Sequence, residues 1–314
     1  MSDKQLQVHK VAQRSEKMLL SLTEQIQVLK DELEENVFYQ TYAKAALSKL
    51  PKLTRANVDY AVNEMEERGY VFDKKPAGST VKYAMSIQNI IDIYEQRGVA
   101  KYRDRFKKAF TIFVGNLKGG VSKTVSTVSL AHALRTHPHL LFEDLRILVI
   151  DLDPQSSATM FLNHTQAVGM VETTAAQAML QNVTREELIN EFIVPSVIPG
   201  VDLIPASIDD AFIASSWDSL CQEYLPEQNV HSVLRENIVD KLEHDYDFIF
   251  VDSGPHLDAF LKNAIASADL LMTPVPPAQV DFHSTLKYLT RLPELIDIIE
   301  KSGKILNPRT INKD

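Results

Sequence analysis

The stretch LKGGVSKT, residues 117–124, sets two lysines, two glycines and a threonine between an apolar run, AFTIFVGN, and a helical one, TVSTVSLAHALR. A strand, loop and helix in that order suit a phosphate. Glycines without side chains let backbone N–H groups approach its oxygens, and the helix start adds partial positive charge. Gly119 and Gly120 allow the close approach, Lys123 can reach terminal phosphates, and the Thr124 hydroxyl can ligate magnesium. The regular spacing G-x-x-x-x-G-K-T asks for glycine where this chain has Ser122, and Lys118 is extra to it. The competing reading is a Gly-rich turn with incidental lysines.

Two more apolar runs end in carboxylates: ILVIDLDPQSSAT carries Asp151 and Asp153, and YDFIFVDSGP carries Asp252. Ligands of open parallel sheets bind beyond the C-terminal strand ends, so the three carboxylates could gather at the loop. Each alone could instead cap a helix. Other chemistries find little support. Cys221 is the single cysteine and reads as a small core residue, which excludes a disulfide framework or a Cys-rich cluster. Among nine histidines none shows metal-ligand spacing: His137 and His139 flank Pro138, and His132 falls inside a helix. Asp209 and Asp210 in PASIDDAF read as a helix cap, with a subunit contact as the alternative.

The elements that must position these groups follow from periodicity. From residue 109 onward AFTIFVGN, LRILVID, VDLIPA, DFIFVD and ADLLMTPV are five short apolar runs separated by helical stretches. That alternation predicts an α/β domain with a parallel sheet covered on both faces. Before it, residues 4–35 form one long helix with Val8, Val11, Met18, Leu22, Ile26, Leu29 and Leu33 on a narrow stripe, suited to pairing in a dimer. Next come a short helix at YAKAALSKL, a second from Thr54 to before Gly69, two strands around a Lys-Pro-Ala-Gly-Ser turn, and a helix near SIQNIIDIYEQR. This is the order of a winged helix-turn-helix. Thr54, Arg55 and Asn57, with Asn63 further along, would face base edges, and Lys74, Lys75 and Lys82 would lie along phosphates. The alternative is a protein-contact module with solvated charges.

KYRDRFKK, residues 101–108, marks the domain boundary. The division is 1–36 for a dimerisation helix, 37–108 for the winged domain with its basic linker, and 109–314 for the phosphate-loop domain. Residues 1–108 hold 19 Lys+Arg against 15 Asp+Glu, while the remainder holds 14 against 27, so the halves are expected to meet different partners. The N-terminus lacks a signal-like apolar region and no apolar run approaches the roughly 18 residues that span a bilayer, so a cytoplasmic protein is expected.

K-G-G-V-S-K-T at 118–124 resembles the deviant Walker A loop, K-G-G-x-x-K-[ST], of the ParA/MinD class of P-loop ATPases. The resemblance implies that Ser122 is allowed and that Lys118 reaches across an ATP-bound homodimer to the partner's phosphates. It implies ATP or ADP contacts from residues 118–125 (Lys118, Gly119, Gly120, Val121, Ser122, Lys123, Thr124 and Val125), and magnesium held by Thr124 and Asp252 with Asp151 nearby. Asp153, in a segment similar to D-x-D-P-Q, would position the attacking water; Lys118 and Lys123 complete the implied catalytic set. The architecture, with LTRANVDYAVNEMEERGYVFDK and PASIDDAFIASS, resembles the large type Ia plasmid-partition ParA proteins. An ATPase is implied that represses its own operon as the ADP dimer, and as the ATP form binds non-specific nucleoid DNA and a ParB partner that stimulates hydrolysis. Members of that group continue for about 80–100 further residues, so the ATPase domain reads as truncated after KSGKILNPRTINKD. The alternative is a DNA-binding autorepressor whose partial ATPase domain is a scaffold. A MinD-like role is disfavoured for want of a membrane helix, and the iron-protein branch by the single cysteine.

Overall fold

A computed structural model describes residues 3–34, 40–167 and 173–302. Helix α1, Asp3–Glu34, contains no Gly or Pro and runs unbroken. Val11, Met18 and Leu22 of the expected seam are exposed on it. The side chains of Val8, Ile26, Leu29 and Leu33 lie outside the described residues, as does the 303–314 tail.

The winged unit follows in the expected order of elements, with two local differences. YAKAALSKL supplies a 3-10 turn, Lys44–Lys49. Helix α2, Arg55–Glu67, begins at a capping box in which Thr54 Oγ1 accepts the Asn57 N–H and Asn57 Oδ1 accepts the Thr54 N–H. Past its end Gly69 takes φ 89°, a conformation open to a residue without Cβ. Strands β1, Lys74–Ala77, and β2, Thr80–Tyr83, pair antiparallel. Lys75–Ala77 belong to β1, not to the expected turn, because Gly78 at φ 64° reverses the chain within two residues. Helix α3, Ile87–Gln96, starts from a second capping box, Ser86 with Asn89. Val58, Ala61, Val62 and Met65 of α2 and Ile90, Ile93 and Tyr94 of α3 close one small core.

The larger unit is a six-stranded sheet in which the strands lie in the order Val194–Pro195, Val201–Ile204, Ile147–Asp151, Phe248–Asp252, Phe110–Val114 and Leu270–Met272. β3 is Phe110–Val114, followed by helix α4, Lys123–Thr136, and then β4, Ile147–Asp151. β5 is Val194–Pro195, β6 Val201–Ile204 and β7 Phe248–Asp252. Helix α5, Ala259–Ser267, strand β8, Leu270–Met272, and helix α6, Gln279–Lys301, complete it. The five expected strands pair parallel; the unforeseen β5 is an antiparallel edge. β4 is buried along its whole length because helices cover both faces. One core cluster lies on each side of the sheet, and Cys221 is buried in the larger, where burial pushes its thiol up to about 11.

Among the described residues no helix is long and apolar enough to cross a membrane.

Candidate nucleotide site and DNA-binding face

The sheet order brings the separate sequence segments together. β3 and β4 are not neighbours; β7 lies between them, with Asp252 opposite both Val114 and Asp151. The loop after β3 and the carboxylates ending β4 and β7 therefore share one end of the sheet. Ligands of such sheets bind at that end.

Within the loop Gly120 has φ 74°, and Ser122 holds φ 63° and ψ 28°. A Cβ at Gly120 would meet nothing within 4 Å, and one at Gly119 would meet Pro255 Cγ at 3.9 Å, so the space over the loop is open. α4 starts without a side-chain cap, unlike α2, α3 and α5. Its first N–H groups are left to meet an anion. Lys123 is buried, and its ammonium donates to Lys118 O at 3.2 Å. Desolvation lowers its pKa, while attraction to Asp252 and Asp153 works the other way. A buried ammonium of three donors fits a phosphate cradle.

Thr124 Oγ1 donates to Asp252 Oδ2 at 2.6 Å, and Thr127 Oγ1 lies 3.4 Å from Asp252 Oδ1. Asp252 is fully buried, and burial first, then the Asp151 charge, raises its pKa. Such a hydroxyl and carboxylate, short of positive charge, suit a magnesium ion. Asp151 is raised by burial too, but its oxygens are committed: Oδ2 accepts from Thr159 N–H and Oγ1, each at 2.8 Å, and Oδ1 from Asp153 N–H at 3.0 Å. It braces the 151–159 loop behind Asp252. Asp153 is buried beside Gly254, its Oδ1 accepting the Gln155 N–H at 3.0 Å, and a Cβ at Gly254 would come within 3.3 Å of that oxygen. Lys118 Nζ is 3.8 Å from Asp281 Oδ1. Val121 is buried under the loop, and Val125 is exposed on the first turn of α4.

On the winged unit Thr54 and Arg55 are exposed at the start of α2, whereas Asn57 is engaged in the cap. Lys74 turns toward α2 and pairs with Glu66 at 2.9 Å beneath Tyr83. Lys75 and Lys82 are cross-strand partners and stay exposed. The helix that begins at Asp210 has no side-chain cap bond, so the expected cap is not made: Asp210 instead accepts the Ser207 N–H ahead of the helix and the Thr174 hydroxyl.

Residues 15–106 match the ParA helix turn helix domain, and residues 109–308 match an AAA domain. Over 297 residues the chain is 74% identical to plasmid partition protein A of Escherichia coli, spanning 95% of this chain and 75% of that protein. The chain belongs to the plasmid-partition ParA family. A solved partition protein superposes with a TM-score of 0.86 at 51% identity, over 99% of this chain and 84% of that one. Cobyrinic acid a,c-diamide synthase of Mycobacterium smegmatis, solved with bound ADP and magnesium, shares the fold with a TM-score of 0.50 at 24% identity, over 64% of this chain and 71% of that one.

This ParA-type protein thus joins a helix-turn-helix domain to an ATPase-family P-loop domain. Two features escaped the sequence reading. Asn116 and Thr285, 169 residues apart, meet beneath the loop. Leu141 and Phe142, in the connection after α4, pack into the winged core rather than the sheet's. Neither has a local signal, since an isolated Asn or Leu does not declare its distant partner.

Proposed function

We propose that the chain is a plasmid-partition ATPase and autorepressor that binds ATP in the loop of residues 118–125 and works as a homodimer. The observation that carries this is the convergence, at one sheet end, of buried Lys123, the Thr124–Asp252 pair and Asp153. In this reading Lys123 binds the terminal phosphates and the uncapped start of α4 receives them through backbone N–H groups. Thr124 and Asp252 hold magnesium, which when bound offsets phosphate charge, and Asp151 keeps the adjoining loop in place. Asp153 orients the attacking water. Lys118 adds positive charge from the partner subunit as negative charge builds on the transferred phosphoryl group. Val11, Met18 and Leu22, exposed on α1, support the dimer, and exposed Thr54 and Arg55 at the start of α2 with exposed Lys75 and Lys82 on the hairpin support operator binding. With ADP bound the winged units engage the operator; with ATP bound the protein holds non-specific DNA and a ParB partner that stimulates hydrolysis. The domains divide at 1–36, 37–108 and 109–314, and the setting is the nucleoid within the cytoplasm.

Lys123→Ala tests the loop assignment by calorimetric titration with ADP and ATP in magnesium. Removing the buried ammonium is expected to weaken binding by at least about 3 kcal/mol, roughly a hundredfold. Unchanged affinity rejects the site.

A further inference from the structure

The first lysine of the loop is held from α6. The Lys118 N–H donates to Asn116 Oδ1 at 3.0 Å. Asn116 is buried, and its Nδ2 donates to Pro274 O at 3.1 Å and to Thr285 Oγ1 at 2.8 Å. Thr285, equally buried, donates its hydroxyl to Asp281 O at 2.9 Å. The bonds through Asn116 and Thr285 run in a single donor-to-acceptor direction. Both amide hydrogens of Asn116 are used, which fixes the orientation of that side chain. The circuit then closes on its starting residue, because the Asp281 carboxylate is the group 3.8 Å from Lys118 Nζ.

The links differ in strength. A half-exposed ion pair at that distance holds little. The amide–hydroxyl chain holds more, because breaking any link strands a buried polar group. Lys118 is therefore placed through its backbone, and α6 supplies the anchor. Thr285 is on the buried side of the helix next to Tyr288, so the anchor is packed as well as bonded.

We propose that Asn116 and Thr285 are positioning residues for ATP hydrolysis: they tie the phosphate loop to the first turns of α6 and so set where the Lys118 ammonium points. This rests on the reading of Lys118 as a group that meets phosphate. It assigns α6, far along the chain from the loop, a part in the nucleotide site.

Thr285→Val keeps the side-chain shape and removes the hydroxyl. In the nucleotide-free protein, hydrogen exchange of the 116–122 amides is expected to quicken roughly fivefold, the worth of one neutral hydrogen bond. In phosphate-release assays kcat is expected to fall about tenfold. KM and ADP affinity should stay within about twofold, since Lys118 acts on charge that develops during reaction. Thr285→Ser should restore both exchange and kcat. Should the valine variant fold poorly, Thr285→Ala, which also removes the hydroxyl, reads the same quantities. In a Lys118→Ala background Thr285→Val should cause no further loss of kcat. Unchanged loop exchange overturns the proposal, and so does a kcat loss that persists undiminished without Lys118, which would mark a general packing defect. A wild-type chain that hydrolyses no ATP overturns the functional reading beneath it, and is told apart because the exchange measurement needs no nucleotide.

Discussion

Ser122 sits in the left-handed region that an ordinary phosphate loop gives to glycine. A side chain there costs about 1–2 kcal/mol, partly offset because glycine loses more chain entropy on folding. Ser122→Gly should therefore raise stability to urea by about 0.5–1 kcal/mol and leave ADP binding intact. Asp252 poses the opposite problem, a charge that the fold resists. Its folded pKa is raised, by burial first and Asp151 second. Its contribution to stability is thus complete below the unfolded carboxylate value of about 4, and is lost as pH rises toward and through the folded value. Asp252→Asn keeps an oxygen for the Thr124 hydroxyl and removes the charge. The nucleotide-free variant should be more stable at pH 7 by on the order of 2 kcal/mol, with its melting temperature falling less steeply with pH than the wild type's, and it should lose magnesium-dependent hydrolysis. Parallel melting curves for the two proteins would show that Asp252 is not held at a cost.

α4 runs from the phosphate loop to the connection that reaches the winged core. Its first turn presents Lys123 and Thr124 to the loop; near its last, Arg135 donates to Asp144 Oδ1 at 2.8 Å and to Pro199 O at 2.8 Å. Three residues before Asp144, Leu141 is buried in the winged core, and Phe142 meets Tyr94 edge-on at 6.1 Å with Lys52 Nζ 3.7 Å over its ring. Leu141→Ala should destabilise the winged unit by about 2–4 kcal/mol, checked by urea unfolding followed at Tyr94 and its neighbours in α3. A loss confined to the sheet domain would contradict this packing. The strands were legible in the sequence because parallel strands buried on both faces are written as continuous apolar runs ending in Asp151 and Asp252. β5 was not, since two residues including Pro195 leave no pattern. The loop and its carboxylates were legible as types and spacing. Which carboxylate is free and which is committed was not, because Thr159 and Thr124 reach Asp151 and Asp252 through tertiary contacts.

Over the whole molecule, the charge asymmetry read from the sequence divides in two. Lys101 and Arg103 pair with Asp144, Arg105 with Glu143 and Lys108 with Glu243, so much of the basic connector is answered by carboxylates of the sheet domain. Arg55, Lys75 and Lys82 remain exposed on the winged unit. That leaves exposed cations at the start of α2 and on the hairpin, and a connector clamped against the sheet domain. The proposed function requires that the bound nucleotide select the mode of DNA binding. The most direct test is the affinity of the 314-residue chain for its operator DNA, titrated at fixed salt with no nucleotide, with ADP and with ATP. ADP is expected to tighten operator binding relative to the nucleotide-free protein, while ATP is expected to shift the protein toward DNA of any sequence. Equal operator affinity in all three conditions would contradict the proposed function, leaving a DNA-binding regulator whose P-loop domain serves as a scaffold.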